Sequence, residues 1–195
     1  MVKLLKRMNL PNKLTLLRIL LVPVFCAFIC VNARWAQLVA ALIFIAASLT
    51  DMLDGRIARK RGLITDFGKL MDPIADKLLV TAAMVFLTSQ HRMNAGVCVV
   101  FIAREFIISG FRMVAASRGV VIAAGKLGKY KTVTQMIAVI MSILCLGFGG
   151  VSAMAGWGPL ALLTHAMMWL ALALAVISCV DYILLNRSVI DTTNI

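Results

Sequence analysis

The sequence has few charged residues and even fewer acids. Only 14% of its 195 residues are charged, and eight of them are Asp or Glu. The hydrophobic share is 62% and the mean hydropathy is +0.98, which lies outside the range of soluble globular domains. The alternation of polar and apolar residues that is typical of membrane β-strands is also missing. These absences exclude a soluble domain and a β-barrel, and they predict an all-α integral membrane protein.

Histidine is scarce, with two residues, and the five cysteines have no histidine at metal-ligand spacing. All five cysteines lie in apolar runs, and only Cys26 and Cys30 share a helix face. This pattern indicates core residues and not a zinc site or a disulfide framework. The formal net charge of +12 is spread among hydrophobic spans, and no separate nucleic-acid-binding domain is evident in the sequence. We therefore expect no nucleic-acid partner, and a positive surface that faces the lipid bilayer or phosphate-bearing substrates.

Long apolar runs recur along almost the whole chain, at the length that a bilayer requires. They predict six transmembrane helices in a single domain, residues 1–195, at about Leu14 to Val31, Ala36 to Asp54, Leu70 to Thr88, Ala95 to Ala116, Thr132 to Phe148 and Leu160 to Leu185. Residues 1–11 mix leucine with lysine and arginine, which is typical of a short amphipathic juxtamembrane helix or of a basic tail. The glycine-rich stretch from Gly147 to Gly158 predicts a tight outer turn.

The basic residues give the orientation of these spans. With the N-terminus in the cytoplasm, nearly all lysines and arginines fall on the cytoplasmic side, and the outer loops keep only Arg34 and Arg92. We therefore predict a multi-pass protein of the cytoplasmic (inner) membrane with both termini in the cytoplasm. Asp181, Tyr182 and Arg187, at the end of the last span, are interpreted as ordinary interfacial residues.

Four aspartates interrupt this apolar pattern, in or beside the second and third spans. On a helix, Asp51, Asp54, Gly55 and Ala58 lie on one face, and a second face carries Asp72 and Asp76 one turn apart. Buried carboxylates need a positive partner. A ligand set of carboxylates without His or Cys favours a hard cation, Mg²⁺ or Mn²⁺, and four aspartates suit a site for two such ions. Such ions usually serve phosphoryl chemistry, which would then face the cytosol.

Two other interpretations of the aspartates remain open on spacing alone. Intramembrane acids also mark proton or cation pathways, as in a transporter. Simple helix capping would explain Asp66 and Asp72, the latter directly before Pro73.

The stretch 49–77 reads Asp51-x-x-Asp54-Gly55-x-x-Ala58-Arg59, then eight residues, then Gly68-x-x-x-Asp72-x-x-x-Asp76. It resembles the complete signature of the CDP-alcohol phosphatidyltransferase family, whose fold also has six spans. The resemblance implies that Asp51, Asp54, Asp72 and Asp76 hold two divalent ions on the diphosphate of a CDP-linked lipid. It implies that Asp76 is the base that deprotonates the acceptor hydroxyl, and that CMP is expelled. It also implies nucleotide contacts from Asp54, Gly55, Ala58, Arg59 and Thr65, and a homodimer.

The acceptor is suggested by a basic region, residues 104–135, that carries Arg104, Arg112, Lys129 and Lys131. Arginine and lysine bind a phosphate dianion well, while Arg104 could instead pair with an acid such as Glu105. These residues, together with the N-terminal PNKLTLLR, resemble those found at the same places in the bacterial branch of the family that uses CDP-diacylglycerol and glycerol 3-phosphate. Inositol phosphate, serine or phosphatidylglycerol as the acceptor remain alternatives within the family.

Overall fold

A computed structural model describes residues 10–61, 66–120, 122, 125–155 and 159–187, with side chains described in these ranges except at 10–11, 51–61, 66–73, 76, 126 and 149–155. Within these ranges the chain forms six helices and no β-strand. The helices are α1 (Leu10–Ile29), α2 (Arg34–Arg61), α3 (Asp66–Ser89), α4 (Ala95–Ser117), α5 (Lys126–Ala155) and α6 (Pro159–Leu185). The prediction of an all-α chain is confirmed, and each predicted span falls largely within one helix.

Three of the described helices are long and apolar enough to cross a membrane. The qualifying segments are Asn12–Ile29 of α1, Leu127–Phe148 of α5 and Pro159–Leu185 of α6. Shorter apolar stretches, Arg34–Thr50 and Lys77–Ser89, lie in α2 and α3. An α-helix pairs its own backbone hydrogen-bonding groups, which is what lipid requires of a spanning segment. The membrane character of the chain is supported, and the count of six spans stays a prediction.

Several helices extend beyond the apolar runs from which they were predicted, most clearly α2 and α5. α2 continues past Asp54 to Arg61, and α5 begins at Lys126 although its apolar run starts only at Thr132. Hydrophobicity marks the part of a helix that faces lipid or the core, whereas backbone hydrogen bonds continue into the polar turns beyond it. The acidic and basic segments therefore lie on helices and not on loops.

The predicted turn from Gly147 to Gly158 is wrong for residues 147–155, because α5 continues to Ala155. The glycine serves helix packing. A Cβ at Gly147 would lie 2.6 Å from Cδ2 of Leu38 in α2. Absence of a side chain at this position lets α5 approach α2 closely, as small residues do in membrane helix pairs.

The core of the bundle combines aromatic side chains with alanines. Phe25 of α1 packs on Phe44 of α2 with ring centroids 5.9 Å apart. Ala40, Ala41 and Ala47, all fully buried, make the α2 surface flat enough for neighbouring helices to approach. α1 lies along both α2 and α3, and α5 packs against α2 and α6.

Most of the polar contacts between the described helices lie at one end of this bundle. They join α4 to α5, α4 to α6 and α3 to α4, through Glu105, Arg104 and Ser109 of α4. At the opposite end, packing brings Gly147 to Leu38 and Cys145 to Thr164. The first end is where the sequence places its acidic and basic motifs. Residues 1–9 of the predicted amphipathic helix lie outside the described ranges, and Pro11 stands in the first turn of α1.

Candidate active site

The backbone places the four aspartates on two consecutive helices. Asp51 and Asp54 lie on α2, which runs without a break to Arg61, and Asp72 and Asp76 lie on α3. Spacings of three and four residues put each pair on one helix face. Capping by Asp72 is wrong, because α3 already begins at Asp66. Helical backbone thus supports the predicted two-stripe arrangement of carboxylates.

Other predicted residues of this motif lie on the same helices or outside the described part. Gly55, Ala58 and Arg59 belong to α2, whereas Thr65 falls in the stretch 62–65, outside the described residues. The side chains of 51–61, 66–73 and 76 are likewise outside it. The ligand roles of the aspartates and the nucleotide contacts therefore stay predictions.

The N-terminal end of α1 carries a buried polar face. Asn12, Thr15 and Arg18 are 7%, 1% and 2% exposed, and each has an interaction partner in the structure. Burying such groups without partners would cost several kcal/mol, on the order of 2–7 for a neutral polar group. Because α1 lies against α2 and α3, this face belongs to the part of the bundle that holds the aspartate helices.

Lys131 of α5 is fully buried and is paired with Glu105 of α4. Its ammonium donates to Oε1 of Glu105 and lies 5.8 Å from the ring centroid of Phe101. Arg104 approaches the same carboxylate oxygen, with Nη1 3.4 Å away, and its Nη2 donates to the Ser178 hydroxyl of α6 at 3.1 Å. The alternative that Arg104 pairs with Glu105 is confirmed, and two predicted phosphate-binding cations share one acid.

Arg112, two turns further along α4, is held by Tyr182 of α6. Its Nε donates to the Tyr182 hydroxyl at 3.1 Å, and its guanidinium carbon lies 5.4 Å from the ring centroid. Tyr182 is 7% exposed and meets Phe111 edge to face at 5.7 Å. Its interpretation as an ordinary interfacial aromatic is wrong, because it is buried between helices and fixes an arginine.

Lys129 lies apart from the other three basic residues. It is exposed, and because it stands two residues before Lys131 on a helix, the two side chains point in directions about 200° apart around the helix axis. Gly128 instead faces α4, since a Cβ there would be 3.6 Å from Arg104 Nη2. The structure therefore brings Arg104 and Lys131 together, places Arg112 nearby on the same helix as Arg104, and leaves Lys129 on another face.

A small cleft with a cavity volume of about 50 Å³ opens beside Glu105. It is lined by Lys77, Val80, Thr81, Met84, Glu105, Thr132, Gln135 and Met136. The Lys77 ammonium donates to the Ser109 hydroxyl, which donates to the Glu105 carbonyl oxygen at 2.6 Å. The cleft thus runs from the residue next to Asp76 to the Glu105 and Lys131 pair.

Several of these side chains were missed by sequence reasoning. Ser109, Ser178 and Tyr182 carry no motif, because they act through helix pairings that spacing alone does not define. Lys77 had one signal, its place directly after Asp76. That position alone does not indicate a role for Lys77, because its contact with Ser109 depends on the packing of α3 on α4.

The arrangement offers predicted carboxylate ligands for hard cations close to Lys77 and to the Arg104 and Lys131 pair on Glu105, which suits a reaction on phosphate esters. The sequence model of the CDP-alcohol phosphatidyltransferase family matches residues 8–177. This chain belongs to the CDP-alcohol phosphatidyltransferase family.

Relatives named for one activity align with nearly all of the chain. A CDP-diacylglycerol--glycerol-3-phosphate 3-phosphatidyltransferase of Bacillus subtilis is 41% identical over 199 residues, covering 95% of this chain and 99% of the relative. An enzyme of the same name from Rickettsia typhi is 40% identical over 174 residues, or 89% and 94% of the two chains. A Mycobacterium tuberculosis protein called "Probable phosphatidylglycerophosphate synthase" is 36% identical over 178 residues, or 90% and 80%. The predicted family is confirmed.

Proposed function

We propose that this chain transfers the phosphatidyl group of CDP-diacylglycerol to sn-glycerol 3-phosphate, giving phosphatidylglycerophosphate and CMP in phospholipid biosynthesis. The observation that carries the proposal is the end-to-end match to the Bacillus subtilis enzyme named for this reaction, which leaves almost no part of either chain unmatched. The signature of aspartates on α2 and α3, with a cleft between α3, α4 and α5 that Lys77 lines, supports it.

The metal ions of this proposal are two Mg²⁺ or Mn²⁺ ions, held by Asp51, Asp54, Asp72 and Asp76. The donor set fits them, because carboxylates alone favour hard cations and because unbroken helix places each pair on one face. When bound, such ions neutralise the diphosphate of the lipid substrate and stabilise the charge that develops on its leaving phosphate.

The chain's own groups then carry out the transfer. Asp76 accepts the proton of the acceptor hydroxyl, whose oxygen attacks the lipid-side phosphorus of CDP-diacylglycerol. The new P–O bond forms as the bond between the two phosphates breaks, and CMP leaves with the bonding electrons. Asp54, Gly55, Ala58, Arg59 and Thr65 border the nucleotide, with Gly55 and Ala58 leaving room for it.

The acceptor phosphate is bound at the basic region on α4 and α5. The partly buried Arg104 and the fully buried Lys131, both next to Glu105, supply positive charge there. The exposed Arg112 adds charge from the same helix as Arg104, and the exposed Lys129 adds charge from another face of α5. A phosphate dianion suits this set better than an uncharged acceptor does, since guanidinium and ammonium groups form their strongest hydrogen bonds with anionic oxygens.

The membrane arrangement is part of the proposal. We expect six spans in the cytoplasmic membrane, both termini and the active site on the cytosolic side, and a homodimer. The charge asymmetry of the loops supports the orientation, and the three helices of spanning length support insertion. Reaction of cysteines placed in each loop with a membrane-impermeant reagent tests the orientation, and the mass of the protein in detergent tests the dimer.

The activity is tested with purified protein, CDP-diacylglycerol, and either Mg²⁺ or Mn²⁺. Release of CMP is measured with glycerol 3-phosphate, inositol phosphate, serine and phosphatidylglycerol as separate acceptors. We expect release with glycerol 3-phosphate, and its loss in the variant Asp76→Asn with CDP binding retained. Absence of release with every acceptor would refute the enzymatic proposal, and normal turnover of the variant would remove Asp76 as the base.

A further inference from the structure

The cleft beside Glu105 contains two hydrogen-bond donors that rest on weak partners. Lys77 donates to the neutral hydroxyl of Ser109, and no carboxylate of the described residues lies within ion-pair distance of its ammonium. Gln135, 3% exposed, places its amide nitrogen 3.1 Å from the thioether sulfur of Met84. A neutral hydroxyl and a thioether are both weaker acceptors than an anionic oxygen. Both donors would therefore form stronger hydrogen bonds if an anionic oxygen entered the cleft.

The formal charges around the cleft point to the kind of anion. Lys77 and Glu105 line the cleft, and Arg104 and Lys131 lie behind it on the Glu105 carboxylate, so that these four described residues together carry a formal charge of +2. A phosphate monoester carries a charge close to −2 at neutral pH, because its second pKa is about 6. Without Lys77 the balance would be +1, which matches a phosphodiester instead.

The position of Lys77 in the chain connects this charge to the reaction. It follows Asp76 directly, so that an acceptor phosphate held by Lys77 lies beside the helix turn that carries the proposed base. α5 offers Thr132, which directly follows Lys131, and Gln135, which lies one turn further along the helix. A small phosphorylated alcohol in the cleft would thus contact α3 and α5 together.

We propose that Lys77 is an acceptor-binding residue, and that with Gln135 it makes the cleft selective for phosphate monoesters over phosphodiesters and uncharged alcohols. On binding, the Lys77 ammonium moves its hydrogen bond from the Ser109 hydroxyl to a phosphate oxygen. The proposal rests on the proposed function and names a residue and a substrate class for that same site.

The first test measures steady-state kinetics of CMP release for Lys77→Gln, Lys77→Arg and the matched control Lys13→Gln. Lys13 is an exposed lysine on α1, so its variant removes the same charge outside the cleft. We expect Lys77→Gln to raise the KM for glycerol 3-phosphate about 10- to 100-fold, as the loss of a hydrogen bond to a charged group does. The KM for CDP-diacylglycerol should stay unchanged, Lys77→Arg should recover most of the affinity, and Lys13→Gln should resemble the wild type.

Other outcomes overturn the proposal. A rise in the KM for CDP-diacylglycerol alone would assign Lys77 to the diphosphate, and a fall in kcat with both KM values unchanged would make it a positioning residue of α3. If Lys77→Gln and Lys13→Gln changed the KM for glycerol 3-phosphate to a similar extent, Lys77 would contribute only general positive charge.

A second test uses only the wild-type protein, and so applies even if Lys77→Gln does not fold. Glycerol 3-phosphate is compared with its phosphate methyl ester, a diester, in calorimetric binding to the protein without lipid substrate. We expect the monoester to bind at least about 10-fold more tightly, and equal affinities would refute selectivity for monoesters. Because binding needs no turnover, this result is independent of whether CMP release occurs in the activity assay.

Discussion

Gly147 gives a quantitative test of how closely α5 packs against α2. In Gly147→Ala the new Cβ would lie 2.6 Å from Cδ2 and 2.7 Å from Cγ of Leu38, about 1 Å inside the usual carbon–carbon contact distance of about 3.5–4.0 Å. Relief requires a shift of Leu38 or of the helices, at a cost of about 1–3 kcal/mol. Alanine also favours a helix over glycine by about 1 kcal/mol, which offsets part of that cost.

Gly110 of α4 provides a matched control, because a Cβ at that helix position would meet no atom within 4 Å. Gly110→Ala should therefore gain the helix preference without the clash. The two variants should differ in free energy of unfolding by about 1–3 kcal/mol, which corresponds to about 2–12 °C in Tm for a chain of this length. Thermal unfolding of the detergent-solubilised proteins, followed by circular dichroism, measures the difference.

The contact itself is isolated by repeating the substitution in a Leu38→Ala background. Removal of Leu38 Cγ and Cδ2 leaves space for the new methyl group, so that Gly147→Ala should become neutral or stabilising there. The reasoning is refuted if Gly147→Ala has the same effect with and without Leu38, or if it behaves like Gly110→Ala in the wild-type background.

Three further predictions concern the candidate active site. Removal of divalent cations with EDTA should abolish CMP release, and added Mg²⁺ or Mn²⁺ should restore it; activity that persists in the metal-free protein contradicts the four-aspartate site. Tyr182→Phe keeps a ring beside Arg112 but removes its hydrogen-bond acceptor, so the KM for glycerol 3-phosphate should rise about 2- to 10-fold with Tm unchanged. An unchanged KM would mean that Arg112 does not contact the acceptor. Glu105→Gln takes a carboxylate from the fully buried Lys131 and should destabilise the fold by about 1.5–3 kcal/mol in thermal unfolding, whereas an unchanged Tm would show that the pair is not formed in solution.

The fold was predictable to the extent that lipid and helix geometry determine it. Apolar runs of bilayer length gave one helix for each predicted span, because a helix satisfies its own backbone in lipid. Hydrophobicity did not give the polar ends of the helices, neither the end of α2 at Arg61 nor the start of α5 at Lys126. Glycine content misled at Gly147, where the same lack of a side chain that suits a turn serves helix packing.

The helix positions of the candidate site were predictable where its residues lie close together along the chain, whereas the role of the aspartates as metal ligands stays a prediction. Asp51, Asp54, Asp72 and Asp76 form helix-face patterns within two adjacent segments, so spacing alone indicates a ligand set. The acceptor region depends on pairings between distant helices, such as Arg104 with Ser178 and Arg112 with Tyr182. A list of basic residues does not distinguish the buried Lys131 from the exposed Lys129, although they stand two positions apart.

Burial changes what the basic residues can do for a substrate. A lysine that is fully buried beside an acid and an aromatic ring, as Lys131 is, contributes fixed charge, and its position is set before any ligand arrives. Lys77, half-buried at the cleft wall and bonded to a neutral hydroxyl, can move its hydrogen bond to a ligand. The two lysines therefore have different proposed tasks: Lys131 sets the electrostatic potential of the cleft with Arg104 and Glu105, and Lys77 makes the direct contact. Loss of direct contact should weaken acceptor binding with little effect on folding, whereas disruption of the buried pair should affect folding first.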